Sequence, residues 1–180
     1  GAPGPSRHVH ALVRDDGTVR LTTDPPLWAD RDGTTTGRLQ YRQIGPDLWR
    51  YLGGRRLDAS GNLIPFRIFG GRFLLYLQHT NVLTGGTATS PTPVSLAAPV
   101  PPTSRMALLH VKSSQGVDPD EAYVRPSGGP GNGNRVIYNS GTNQGIQMWC
   151  ATDAAQAVEY RRGASGFMDI DVNGFLEDLD

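Results

Sequence analysis

The sequence predicts an all-β protein whose main body is a jelly-roll-like antiparallel β-sandwich. Three observations carry this expectation. Glycine (23) and proline (14) make up about a fifth of the 180 residues, well above the ~12% usual for globular chains. Only 19% of residues are charged, too few to clothe long surface helices. Turn signals recur every ~8–12 residues between short apolar or alternating runs, the spacing of sandwiches and barrels.

The elements follow in chain order. Residues 1–6, Gly1-Ala2-Pro3-Gly4-Pro5-Ser6, read as two Gly-X-Y triplets. Only glycine fits the axis of a collagen triple helix, and proline pre-sets its extended backbone. Two triplets cannot form a triple helix alone, so the segment is a collagen-like remnant or a flexible leader. Residues 8–13 and 18–21 flank Asp15-Asp16-Gly17 and predict a hairpin. Residues 39–44 and 48–52 are further strand-like pieces. Residues 7–65 hold no long apolar run, so this β-rich shaft or adaptor region is expected to lean on another chain.

From residue 66 the pattern strengthens into a C-terminal head, residues 66–180. Residues 73–82 form a long apolar strand candidate, followed by a Gly/Thr/Ser/Pro stretch and a short strand at 94–98. Residues 106–112 alternate, with Ala107, Leu109 and Val111 on one side. Residues 121–125 and 135–138 come next. Ile146, Met148 and Cys150 share a face, as do Val158 and Tyr160. In residues 167–172, Met168, Ile170 and Val172 point inward and Asp169 and Asp171 outward, ahead of an Asn173-Gly174 turn. About eight strands in ~110 residues fit a jelly-roll-like sandwich. Residues 153–157 (Asp-Ala-Ala-Gln-Ala) are the best short helix candidate.

Charge bounds the partners. Seventeen basic and seventeen acidic residues cancel, which argues against nucleic-acid binding by bulk charge and against a polybasic membrane-surface protein. No run of ~18 apolar residues is present, so no membrane-inserted helix is expected. Lys112 is the only lysine beside sixteen arginines. Base composition of the coding genome explains that bias more simply than arginine selected for planar recognition of acids or sugars.

Each chemical motif has a plainer reading. His8 and His10 repeat every two residues and so share a strand face. Two imidazoles are too few for a tight site in one chain; six converging on the axis of a parallel trimer would suit an octahedral metal. The plainer reading, two histidines flanking a strand, implies no metal. Asp169-Ile170-Asp171-Val172-Asn173-Gly174 matches the opening of a calcium loop with Asp180 at its twelfth position. The flanking Gly163-Ala164-Ser165-Gly166 is no helix, and strand alternation explains the aspartates better. As a glycosidase pair the same carboxylates lack a neighbour able to raise one pKa. Ser165 sits in Gly-Ala-Ser-Gly, not in a nucleophile elbow. Residues 128–133 contain no phosphate-loop pattern. Cys150, between Trp149 and Ala151, reads as a small core residue. No catalytic residue and no cofactor are expected.

The segments Val100-Pro101-Pro102-Thr103-Ser104-Arg105-Met106-Ala107-Leu108-Leu109, Ala122-Tyr123-Val124-Arg125-Pro126, Thr152-Asp153-Ala154-Ala155-Gln156-Ala157-Val158-Glu159-Tyr160 and Met168-Asp169-Ile170-Asp171-Val172-Asn173-Gly174-Phe175 occur in that order. Over roughly residues 66–178 the chain resembles the C-terminal domain of tailed-bacteriophage tail-fibre and prophage tail proteins. The resemblance implies a homotrimeric, non-enzymatic virion component, exposed outside the cell, ending in a β-rich head that touches the host. Its partners would be itself, other virion proteins, and a host-surface glycan or outer-surface protein. It transfers no binding residues, so the receptor-binding residues stay unassigned. The candidate loops, chosen for their Gly/Ser/Thr/Asn content, are residues 84–92, 113–120 and 127–134. A purely architectural collar, head-fibre or baseplate adaptor is the rival reading, and a polysaccharide-degrading enzyme a weaker one.

Overall fold

A computed structural model describes residues 6–13, 19–22, 42–44, 47–58, 60, 62–70, 73–101, 103–113, 122–129, 134–135, 144–153, 155–162 and 166–177. Every regular element among them is a β-strand, and every strand pairing is antiparallel. The first four strands are β1 (Ser6–Val13), β2 (Val19–Thr22), β3 (Arg42–Ile44) and β4 (Asp47–Arg56), in one sheet of order β2-β1-β4-β3. β1 and β2 form the expected hairpin, closing on the Val13–Val19 pair. The collagen-like residues 1–5 and the hairpin turn at 14–18 lie outside the described residues.

Nine strands follow: β5 (Phe66–Phe69), β6 (Phe73–Gly86), β7 (Thr92–Ser95), β8 (Ser104–Ser113), β9 (Tyr123–Pro126), β10 (Asn134–Arg135), β11 (Gln144–Ala151), β12 (Ala157–Arg161) and β13 (Met168–Glu177). They make a five-stranded sheet, β11-β8-β13-β6-β5, and a four-stranded sheet, β10-β9-β12-β7. The pairings are nested: β6 with β13, β7 with β12, β8 with β11, β9 with β10. The chain is a long antiparallel double strand folded over, with successive pairs assigned alternately to the two sheets.

Period-two alternation builds the core. Ala107, Leu109 and Val111 of β8 and Met168, Ile170 and Val172 of β13 are all fully buried. Val94, Val124, Val158 and Tyr160 of the four-stranded sheet belong to the same apolar cluster. Fully burying such an aliphatic side chain stabilises by about 1.5–3 kcal/mol, so two inner faces meeting in one core account for the pairing of the sheets. Tyr76 sits in this core, its hydroxyl donating to the Pro99 carbonyl at 2.7 Å, and burial pushes its phenol upward.

Three local expectations change. Among the described residues of 153–157, the Gln156 amide donates to the Asp153 carbonyl at 3.0 Å in a turn and Ala157 already opens β12, so no helix forms there. The Asp153 carboxylate accepts from the amides of Ala155 (3.0 Å) and Ala157 (2.8 Å), and Gln156 takes a positive φ of 51°. An aspartate side chain offering itself to amides two and four residues on competes with the helical ladder and wins here. Asn173-Gly174 is no turn either, because β13 runs through it to Glu177 with its register shifted between Val172 and Gly174. The strand from Phe73 continues past Val82 to Gly86, so residues 84–86 of the first candidate loop are strand.

The N-terminal sheet meets the head through β4. The Arg55 guanidinium reaches the Glu177 carboxylate at 3.3 Å and lies 5.2 Å from the Phe66 ring centre. Glu177 also accepts from the Thr103 hydroxyl at 3.0 Å. Arg56 donates to the Thr80 hydroxyl, and its carbonyl accepts from the Ile64 amide. The end of β4 is therefore tied to β6 and β13 by buried polar contacts.

Candidate functional site

The strand register decides where the three candidate loops emerge. Gly86 of β6 and Ser113 of β8 both stand opposite Met168 of β13. β6 and β8 therefore finish at the same end of the sheet, where the described residues 87–91 and Ser113 lie. The Arg161 end of β12 meets residues 87–89 while its Val158 end pairs with Pro126, so residues 127–129 follow β9 at the opposite end, and Asn134 itself is already β10. The described parts of the three loops do not form one surface.

The described parts of these loops are pinned. Arg162 donates from its amide to the Ala88 carbonyl (2.9 Å) and from its Nε to the Thr87 carbonyl (3.0 Å). Arg161 Nε donates to the Thr89 carbonyl at 3.0 Å. Ser113 donates to the Phe167 carbonyl at 2.7 Å, while residues 114–120 lie outside the described residues. At the opposite end Glu159 accepts from Arg125 Nε (2.9 Å) and from the Gly128 amide (3.2 Å). Those two hydrogen bonds hold the Glu159 carboxyl below the usual range, the arginine contributing more. Residues 130–133 lie outside the described residues.

His8 and His10 lie on β1, where the register against β4 skips Leu52 between Val9 and His10. Their side chains, on which the axial-metal reading depends, lie outside the described residues, as does Asp180 of the calcium-loop reading. The aspartates of that reading are engaged elsewhere. Asp169 accepts from the Gly85 amide at 2.7 Å and Asp171 from Asn81 Nδ2 at 3.0 Å. Among the described residues no group of three or more His, Cys, Asp or Glu side chains is placed to hold a metal ion.

Asp171 departs most from expectation. It points to the outer face of its sheet, as alternation requires, yet only 3% of it is exposed. Its second oxygen faces Lys112 Nζ at 3.5 Å, His110 Nδ1 at 3.8 Å and His79 Nε2 at 4.0 Å. These groups come from β6 and β8, the strands on either side of β13. A buried carboxylate is tolerated only when paired and hydrogen-bonded, and this one is enclosed from both neighbouring strands. Beyond it, Gly145 of β11 leaves the room that the His110 imidazole occupies.

The other half of this outer face is apolar. Phe69 on edge strand β5 stacks on Phe73 of β6, ring centres 5.8 Å apart, and Phe73 meets Trp149 of β11 edge-on at 5.0 Å. β8 and β13 lie between β6 and β11 in the sheet, so the two rings lean toward each other across two strands. Trp149 is 37% and Phe69 47% exposed. The outer face of the four-stranded sheet instead carries the Arg125–Glu159 ion pair.

No sequence signal groups Phe69, Phe73 and Trp149, or Asp171 with His79 and His110, because strand order alone brings them together. Cys150 is buried as expected, and burial pushes its thiol up to about 11, which keeps it a poor nucleophile at neutral pH. No helix among the described residues is long and apolar enough to cross a membrane. Comparisons of the chain with family models, with curated proteins and with solved structures return no match.

Proposed function

We propose that this chain is a non-catalytic component of a bacteriophage tail fibre, a homotrimer whose C-terminal jelly-roll head attaches the virion to a host-surface glycan or outer-surface protein. The observation that carries the reading is the nested strand order. Eight successive strands, β6 to β13, alternate between two sheets as 6-13-8-11 and 7-12-9-10, an order that supports reading the head as a jelly roll, a fold used by viral capsid and lectin domains. The Gly-X-Y residues 1–6, read as the remnant of a stalk, and the resemblance over residues 66–178 support the same reading.

The end of the head where β6 and β8 finish is the preferred contact surface, and the candidate loops 84–92 and 113–120 belong to the stretches that end or follow those strands in sequence. Its segments are rich in Thr, Ser, Gly and Asp, and changing them leaves the buried faces of β8 and β13 intact. Weak contacts repeated three times give avidity without a deep pocket.

The test is adhesion. Fluorescently labelled full-length chain is added to a panel of bacterial cells and to their isolated surface polysaccharides. Saturable binding to a subset of strains, lost when residues 87–91 and 114–120 are replaced by Gly-Ser links, supports the reading. Absence of binding across the panel, with a folded protein, favours the architectural rival; release of reducing ends from polysaccharide favours the enzyme.

A further inference from the structure

We propose that Arg56 and Thr80 hold one small monovalent anion, of the size of chloride, in an enclosed site between β4 and β6. Arg56 is the last residue of β4, and its Nη1 donates to the Thr80 hydroxyl of β6. Arg56 is only 7% exposed and Thr80 6%. The Arg56 Nε is buried and has no hydrogen-bond partner among the described residues. The Tyr76 phenol, which acts on this guanidinium, belongs to the apolar core cluster. The charge of Arg56 therefore sits against the core, away from water.

A buried cation is tolerated when it is paired and hydrogen-bonded, and the two arginines that end β4 differ in this respect. Arg55 has the Glu177 carboxylate at 3.3 Å, and Glu177 spends its other oxygen on the Thr103 hydroxyl. Arg56 has no carboxylate partner among the described residues. Burial pulls its pKa below the ordinary arginine value, yet a guanidinium keeps its proton inside proteins. The charge stays, and something must answer it.

The unused donors define the ligand. A guanidinium has only donors, and a threonine hydroxyl that accepts one hydrogen bond still has its own proton to give. The Arg56 Nε–H has no acceptor, and the Thr80 hydroxyl donates in no hydrogen bond among the described residues. Both belong to one pair of touching side chains, so a single acceptor can serve both. One negative charge cancels the one unpaired positive charge. Because the Nε is closed to solvent, the site suits an ion that fits between side chains and not a sugar chain or a peptide. Such an ion would tie β4 to the head whether or not the head attaches to a host.

Urea titrations of the full chain test this, with sodium gluconate exchanged stepwise for sodium chloride at constant ionic strength. Arg56→Met and Thr80→Val are the variants, and broadening of the chloride NMR line reads binding directly. Comparing wild type with Arg56→Met in the same solutions removes screening and general salt effects, which both proteins share. Above its dissociation constant, chloride should raise the wild-type folding constant about tenfold for each tenfold increase in concentration, as release of one ion on unfolding requires. Arg56→Met should lose both that rise and the line broadening. Thr80→Val keeps the charge and removes one donor, so its response should need about tenfold more chloride; it reads the same site if Arg56→Met misfolds. A wild type that follows chloride no more steeply than Arg56→Met overturns the proposal. So does a wild type that leaves the chloride line unbroadened, or a Thr80→Val variant that responds at unchanged chloride.

Discussion

Replacing Gly174 with alanine should be the most informative small change in the head. Gly174 lies inside β13, paired to Leu75 of β6 on one side and Leu108 of β8 on the other. A Cβ added there would press deep inside van der Waals contact of the Leu74 carbonyl oxygen, and would stand 3.2 Å from both the Leu74 carbonyl carbon and the Leu75 Cα. All of these are backbone atoms of a paired strand, so relief requires β6 and β13 to part locally. Overpacking of this kind costs about 1–3 kcal/mol, and each ladder hydrogen bond lost adds about 1 kcal/mol. The reduced freedom of the unfolded chain returns about 0.4–1 kcal/mol. The expected net loss is about 3 kcal/mol, a fall in Tm of about 10 °C. Gly145→Ala is the matched control. Its Cβ would press equally hard, but only against the end of the His110 imidazole, which can swing outward for less than about 1 kcal/mol. Urea titrations of both variants decide the matter. If Gly174→Ala lies within about 1 kcal/mol of wild type, or Gly145→Ala costs as much, the close approach of β6 to β13 is wrong.

Other outcomes follow from the same packing. Asp171→Ala should destabilise by about 1–3 kcal/mol in urea titration, because it strips the Asn81 amide and the Lys112 ammonium of their shared acceptor. Ile170→Asp should cost more, since it loses a fully buried side chain and buries a charge in its place. Cys150 should resist iodoacetamide at pH 8 until the protein unfolds. Its folded thiol titrates near 11, above the usual thiol range; the unfolded chain therefore releases that proton first, and stability should fall as pH rises from about 9 to 11. Glu159 has the opposite sign. Its carboxyl is held low, so its contribution is present at neutral pH and lost as pH falls through its folded value. Arg125→Ala should move the Glu159 titration upward in a carbon-detected NMR experiment.

Alternation made much of the head legible from the sequence. The inner positions of β8 and of β13 up to Val172 follow from period two alone, because one face of each strand meets an apolar core. Asn173-Gly174 misled, since the same dipeptide that favours a hairpin turn also relieves a crowded crossing where no side chain fits. Asp171 alternates outward as expected, and its burial depends on His79, His110 and Lys112 arriving from strands up to ninety-two residues away. The aromatic band has the same cause: a face shared by β5, β6 and β11 exists only once the strand order is set. Local pattern reports which way a side chain points, whereas neighbours across a sheet belong to topology.

The nesting of the strands also dictates an order of events during synthesis. The β9–β10 pair is the most local, while β6 must wait for β13, some ninety residues later. β13 is the middle strand of its sheet, hydrogen-bonded on both sides. Until residue 177 has cleared the ribosome, β6 and β8 present unpaired edges with their apolar faces uncovered. Such non-local closure is slow, with folding times of milliseconds to seconds typical of β-sandwiches, and open edges invite pairing with neighbouring nascent chains. On a polysome making several copies side by side, the interval before β13 arrives is when correct assembly and aggregation compete.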